Sequence, residues 1–200
     1  ELQALASNYE EALLSIAQPY AYSLDLPLSK HDKFLTNTPQ ALKEFQRQED
    51  TITQSLRSLD PNTLSDGRQR IFYLKFKEYI EANIGIRVCR DELWQLDPIF
   101  NGAHLLIEQL VDLQPITTPA DKEQALQRWS AIEAYFQQEI INLNKGLKLG
   151  YTSPKRVVER VIQQINSIIE SDLNSHPYLK LAKRSDDHAF QQAFKALVQQ

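Results

Sequence analysis

The stretch from Thr118 to Val158, TPADKEQALQRWSAIEAYFQQEIINLNKGLKLGYTSPKRVV, decides the fold class. Thr118 followed by Pro119 is a helix start, because the hydroxyl caps a free amide and proline at the first helical position forfeits no useful donor. Trp129, Ile132, Phe136, Ile140, Leu143 and Leu147 then recur at steps of three and four, which lines one face of a long helix. Gly146 and Gly150 weaken and end it, and Ser153 with Pro154 is expected to cap and open the next helix. That helix carries Val158, Val161, Ile165 and Ile168 inward and ends before Asn174 and Pro177. The short turn favours an antiparallel hairpin of the two.

The same reading extends outward in both directions. Leu2, Leu5, Tyr9, Leu13 and Ile16 mark a first helix that ends near Pro19, and residues 18–37 show no sustained period. Thr38-Pro39 repeats the start signal ahead of Leu42, Phe45, Ile52, Leu56 and Leu59. After the Asp60-Pro61-Asn62 break, Ser65 or Asp66 can cap a helix carrying Tyr73, Phe76, Ile80 and Ile84 and reaching as far as Arg90. The chain turns at Asp97-Pro98, between Trp94 and the Ile99-Phe100 pair, into a short helix with Leu105, Leu106, Leu110 and Val111, which Pro115 closes. Phe190, Phe194 and Leu197 make a last helix with no stop signal before Gln200. The expected fold is therefore all-α, an irregular bundle of six or seven helices, with no repeat period that would make a solenoid.

Composition agrees and narrows the function. With 42% hydrophobic and 24% charged residues the chain has the balance of a folded protein, and only 5 glycines among 200 residues suit helices. That length suffices for one fair-sized domain or two small ones, and a single helical region over residues 1–200 is expected. The net charge of -4 leaves no basic footprint for nucleic acid. No apolar run reaches the roughly 18 to 20 residues of a transmembrane helix, so a soluble chain is expected. The single Cys89 excludes an internal disulfide. The chain starts at Glu1 and has no Met, so a segment is expected to precede it.

Chemistry-bearing residues are scattered. His31, His104, His176 and His188 fall in no recognised motif, and His104 with Glu108 supplies two same-face groups where zinc takes three or four ligands. Cys89, at the end of an apolar stripe, reads as a small buried hydrophobe. Asp186 or Asp187 reads as a cap, and Glu10-Glu11 and Glu49-Asp50 as surface charge, because adjacent helical residues point apart. The aromatics Phe72, Tyr73, Phe76 and Tyr79 around Lys75 and Lys77 read as core packing rather than a stacking platform. No phosphate loop, nucleophile elbow or CxxC occurs. No catalytic, cofactor-binding or metal-binding residue is expected within the chain.

The segment from Asn142 to Val158, an Asn-Leu and two spaced glycines followed by Ser153-Pro154 and a Val pair, resembles an element of the bacterial family known as domain of unknown function 885. His176-Pro177, the Leu-Pro-Leu-Ser segment at Leu26 to Ser29 and the Leu-Asp-Pro break at Leu59 to Pro61 are similar to it as well. Ala131-Ile132-Glu133 departs from it, standing where the family pattern has a proline. The resemblance implies a part of a longer exported protein, periplasmic or lipoprotein-anchored. It also implies a zincin-like metallopeptidase relative, whose HExxH zinc motif lies in a C-terminal part that this chain does not match. On that view the chain is a non-catalytic wall of a substrate cleft, with that C-terminal domain and peptide substrate as its partners. The rival expectation is a helical interaction or scaffold module, and a third is a self-contained enzyme using His31 or His188.

Overall fold

Nine α-helices are formed among the described residues of the computed structural model, which are 1–64, 66–100, 102–173 and 175–199. They are α1 (Leu2–Ala17), α2 (Tyr20–Ser23), α3 (Pro39–Ser58), α4 (Gly67–Ile86), α5 (Ala103–Leu113), α6 (Pro119–Leu149), α7 (Lys155–Ile169), α8 (Lys180–Lys183) and α9 (His188–Val198). Seven of these are the expected helices, although α4 ends at Ile86 and a separate turn, Arg87–Cys89, takes the chain to a left-handed Arg90; the other two, α2 and α8, are single turns of four residues whose sequences are too short to show a period. Ser65, Asn174 and Gln200 lie outside the described residues; of the two caps considered for α4, Asp66 accepts a hydrogen bond from the Arg68 amide at 3.0 Å.

Two hydrophobic cores form, and with them two compact units: residues 1–18 with 36–91, and residues 19–35 with 92–200. In unit 1, α1 lies along α3 and α3 lies on α4. Their inward stripes interlock as Leu2, Tyr9, Ile52, Leu56, Tyr73, Phe76 and Ile80. Burying each such side chain is worth about 1.5–3 kcal/mol relative to leaving it in water. Tyr9 sets the ring geometry, edge-on to Phe76 at 5.7 Å and to Tyr79 at 5.9 Å between centroids. The aromatic cluster of α4 is only half core: Tyr73 and Phe76 are buried, whereas Phe72 is 41% and Tyr79 53% exposed. The far side of α4 also leaves Ile71, Leu74 and Ile86 in solvent.

In unit 2 the core gathers Phe34, Ile107, Leu110, Val111, Ala125, Trp129, Leu181, Phe190 and Phe194. The neighbour of α6 is α9, with Trp129 and Phe194 5.2 Å apart between ring centroids. α6 starts as its sequence dictates, on a capping box in which Thr118 accepts from the Asp121 amide and Asp121 accepts from the Thr118 amide. It ends at Gly150, held at φ 85°. Between these ends its buried face differs from the apolar stripe. Ile140 and Leu147 are 59% and 65% exposed, while Asn142 and Gly146 are buried. The cause is the backbone at Leu93, which lies so close to Gly146 that an added Cβ would meet the Leu93 carbonyl oxygen at 1.8 Å.

The turn after α6 is also built differently from the capped hairpin its sequence suggests. The Ser153 hydroxyl donates to the Trp94 carbonyl and does not cap α7, and the residue at the head of α7 is Pro154, which offers no side-chain cap. Gly146 stays inside the helix as a close-approach residue. α7 is tied instead to the segment before α5: Gln164 donates to the Pro98 carbonyl at 3.0 Å and meets His104 Nε2 at 3.1 Å.

Candidate functional site

Each unit buries a charged side chain, and these two constellations are where the polar chemistry of the chain concentrates. In unit 1 the centre is Glu49, on α3, with 1% of its surface accessible. Its expected place was the surface. The structure buries it because α1 and the turn that follows α4 each bring a donor: Tyr9 donates its phenol to Oε1 at 3.1 Å, and the Arg87 guanidinium donates to Oε2, with Nε at 3.1 Å. Arg87 also bonds Asp50 at 2.7 Å and the Gln46 carbonyl at 3.1 Å. Asn83 donates to the Tyr9 oxygen at 3.0 Å. Burial and the neighbouring Glu49 charge both push the Tyr9 phenol well above its ordinary pKa, so it stays a donor. Burial alone would lower the Arg87 pKa, but its bonds to Glu49 and Asp50 outweigh that and raise it.

In unit 2 the centre is Arg128, a fully buried cation on α6. Its Nε donates to the Lys33 carbonyl at 2.8 Å, and Nη1 donates to the Tyr22 oxygen at 2.8 Å and to Gln114 Oε1. The guanidinium carbon also stands 5.4 Å from the centre of the Tyr22 ring, a cation–π arrangement. His31 stacks with Tyr22 as well: its ring is within 6° of parallel to Tyr22, and its Nδ1 is 2.8 Å from the Tyr22 oxygen. Gln124 accepts the His31 amide, and Gln114 donates to the His31 carbonyl at 3.2 Å. Burial lowers the Arg128 pKa, and its bond to Tyr22 opposes the shift.

The structure does not bring the four histidines together. His31 is at the Arg128 cluster; His104 is buried at the head of α5 against Gln164; His176 caps the turn Pro177–Leu179, accepting from the Tyr178 amide at 3.3 Å; His188 is exposed at the start of α9 near Gln191. Glu108 is exposed while His104 is buried, so the pair does not form a two-ligand seat. Among the described residues no group of three or more His, Cys, Asp or Glu stands close enough to hold a metal. Cys89 is exposed at the end of the turn Arg87–Cys89, because α4 stops at Ile86 and the turn carries the thiol off the buried stripe. Asp187 caps α9, accepting from Phe190 at 3.1 Å, and pairs with Lys122 at 3.0 Å.

Sequence reasoning missed both buried charges. A signal for Arg128 was present: Arg128, Tyr135 and Asn142 recur every seven residues and point to the Gly146 side of α6, so a second, polar stripe runs beside the apolar one. A glycine inside a helix costs about 1 kcal/mol, which is itself a sign that something approaches closely there.

What this geometry does is hold elements in place. A family model described as "Bacterial protein of unknown function (DUF885)" matches residues 21–200. None of the curated proteins matches the chain.

Proposed function

The chain belongs to the bacterial DUF885 family, and from that premise we propose that it is a non-catalytic helical region of a zinc-metallopeptidase-like exported protein, serving as a wall of the substrate cleft. The observation that carries this reading is the amount of apolar helix surface left open. In unit 2, Ile140, Leu147, Ile162 and Ile169 are each more than half exposed on α6 and α7, and in unit 1 Ile71, Leu74 and Ile86 are so on α4. Apolar side chains left open along a helix in this number favour a surface that a partner covers. The described residues do not assemble a zinc seat, so the reading places the metal and its chemistry in another part of the protein, and peptide substrate and that catalytic part are the partners it names. No helix among the described residues is long and apolar enough to cross a membrane, so membrane attachment in this reading falls to a lipid anchor elsewhere in the protein.

The test compares residues 1–200 with the whole gene product. Metal analysis after dialysis and a peptidase assay on unstructured peptide should find zinc and chelator-sensitive cleavage in the whole product, and neither in residues 1–200 alone. Stoichiometric zinc on residues 1–200 that disappears in His104→Ala overturns the non-catalytic role. A whole product with neither zinc nor cleavage overturns the peptidase reading and favours an interaction module. Fractionation of native cells should find the protein outside the cytosol; a wholly cytosolic protein removes the export part.

A further inference from the structure

Residues 19–35 cross unit 2 as a strap held by two kinds of anchor. Ala21 and Phe34 are apolar anchors, with Phe34 edge-on to Tyr135 at 5.3 Å. Tyr22, His31 and the Lys33 carbonyl are polar anchors that converge on Arg128. Between them Leu24 is 54% exposed and Asp25 is held at φ 52°.

The hydrogen inventory of the polar anchor is one-sided. A guanidinium only donates, so Arg128 takes up acceptor capacity on the Tyr22 oxygen. The phenol has one proton to give, and His31 Nδ1, at 2.8 Å, is placed to receive it. In that arrangement the imidazole is neutral with its hydrogen on Nε2. A proton added to Nδ1 turns that atom into a donor, leaves the phenol proton without its acceptor, and sets a second cation against Arg128. The surrounding charges are Arg128 and Asp121 from α6 and Asp32 on the strap, with Tyr22 from α2, while Gln114 and Gln124 are neutral. Asp121 and Asp32 favour the charged ring, but Asp121 is committed to the Thr118 cap. Burial, then Arg128, lower the His31 pKa below its ordinary value.

We propose that Tyr22, His31 and Arg128 form an acid-released fastening, in which neutral His31 closes the strap onto α5 and α6 and its protonation frees residues 22–33 while Phe34 stays seated. Unlike the peptidase reading, this rests on the strap alone.

Amide hydrogen exchange of residues 1–200, read by peptide at pH 7.5 and pH 5.5 and corrected for intrinsic rates, tests it. Peptides within residues 20–33 should lose protection by about tenfold at the lower pH, while peptides of α9 hold theirs. His31→Gln, whose amide oxygen can still accept from Tyr22, should show the same protection at both pH values. His176→Gln, which removes a different histidine whose pKa burial also lowers, should leave the tenfold loss intact. Protection unchanged in the native protein, or a loss that persists in His31→Gln or vanishes in His176→Gln, overturns the proposal. Nitrogen chemical shifts give a reading that needs no variant: a hydrogen on His31 Nδ1 at pH 7.5 overturns it, and an unprotonated Nδ1 that gains its hydrogen as pH falls supports it.

Discussion

Unit 1 buries a carboxylate and brings a guanidinium to it; unit 2 buries a guanidinium and turns a phenol, an amide and a carbonyl oxygen toward it. The difference is one of what each arrangement fixes. An ion pair such as Glu49–Arg87 compensates charge with charge, and apolar residues of similar volume can often replace both partners together with little loss. A cation held by fixed dipoles has no such replacement, because its acceptors are parts of other elements. Removing Arg128 strands oxygens on the strap and at the C-terminal end of α5 together. Unit 1's pair mainly stabilises; unit 2's cluster decides where a segment without periodicity of its own comes to rest.

The largest expected effect breaks the pair in unit 1. Glu49→Ala leaves Arg87 without its most buried partner and should cost unit 1 about 3 kcal/mol, the lower end for a broken buried pair because the Arg87 side chain keeps 21% exposure. Faster exchange of α3 and α4 amides in urea measures it. Replacing both, Glu49→Leu with Arg87→Met, should recover most of the loss. A double variant no better than the single one would mean that the pair is not interchangeable with packing, and the contrast between the units would fall.

Arg128→Met is the matching experiment in unit 2. Leaving the Tyr22, Gln114 and Lys33 oxygens short of a donor costs about 1–3 kcal/mol each before relaxation, so a net loss of about 2–3 kcal/mol is expected. Trp94 and Trp129 both belong to unit 2, so the urea midpoint of tryptophan fluorescence reads this unit alone. An unchanged midpoint would show that the strap is held by its apolar anchors.

Gly146→Ala probes the approach of Leu93 to α6. Its methyl group would overlap backbone, which cannot rotate away as a side chain can, so the fluorescence midpoint should fall by an amount equivalent to about 2 kcal/mol. A neutral result would place the Leu93 backbone farther from α6.

The smallest effect is the pH dependence of unit 2. His31 and His176 both have pKa values lowered mainly by burial. The unfolded chain therefore takes up protons before the folded one does. Their contribution is fully present above about pH 6.5, the ordinary histidine value, and is lost as pH falls from there toward the lowered folded values, below which it stops changing. The fluorescence midpoint should decline from pH 7.5 to pH 5.5, and a rise over that interval would reverse the sign of the argument.

What the sequence determined by itself are the features decided within about four residues along the chain. Thr118 and Asp121 make their box, Thr38 caps α3, Asp66 caps α4, and Gly150 takes the left-handed turn, each through bonds to near neighbours. Periodicity likewise placed the seven longer helices. Only the tertiary structure decided which faces of those helices are covered. Glu49 reads as surface charge until Arg87, 38 residues away, reaches it, and Arg128 reads as an ordinary helical arginine until Lys33, 95 residues away, supplies an acceptor. Ile140 and Leu147 continue an apolar stripe, yet the Leu93 backbone settles on the neighbouring stripe, where Gly146 leaves room for it. A helix forms from contacts one turn apart and records them in its own sequence, whereas the partner that buries a face is written in another segment, and only the folded chain brings the two together.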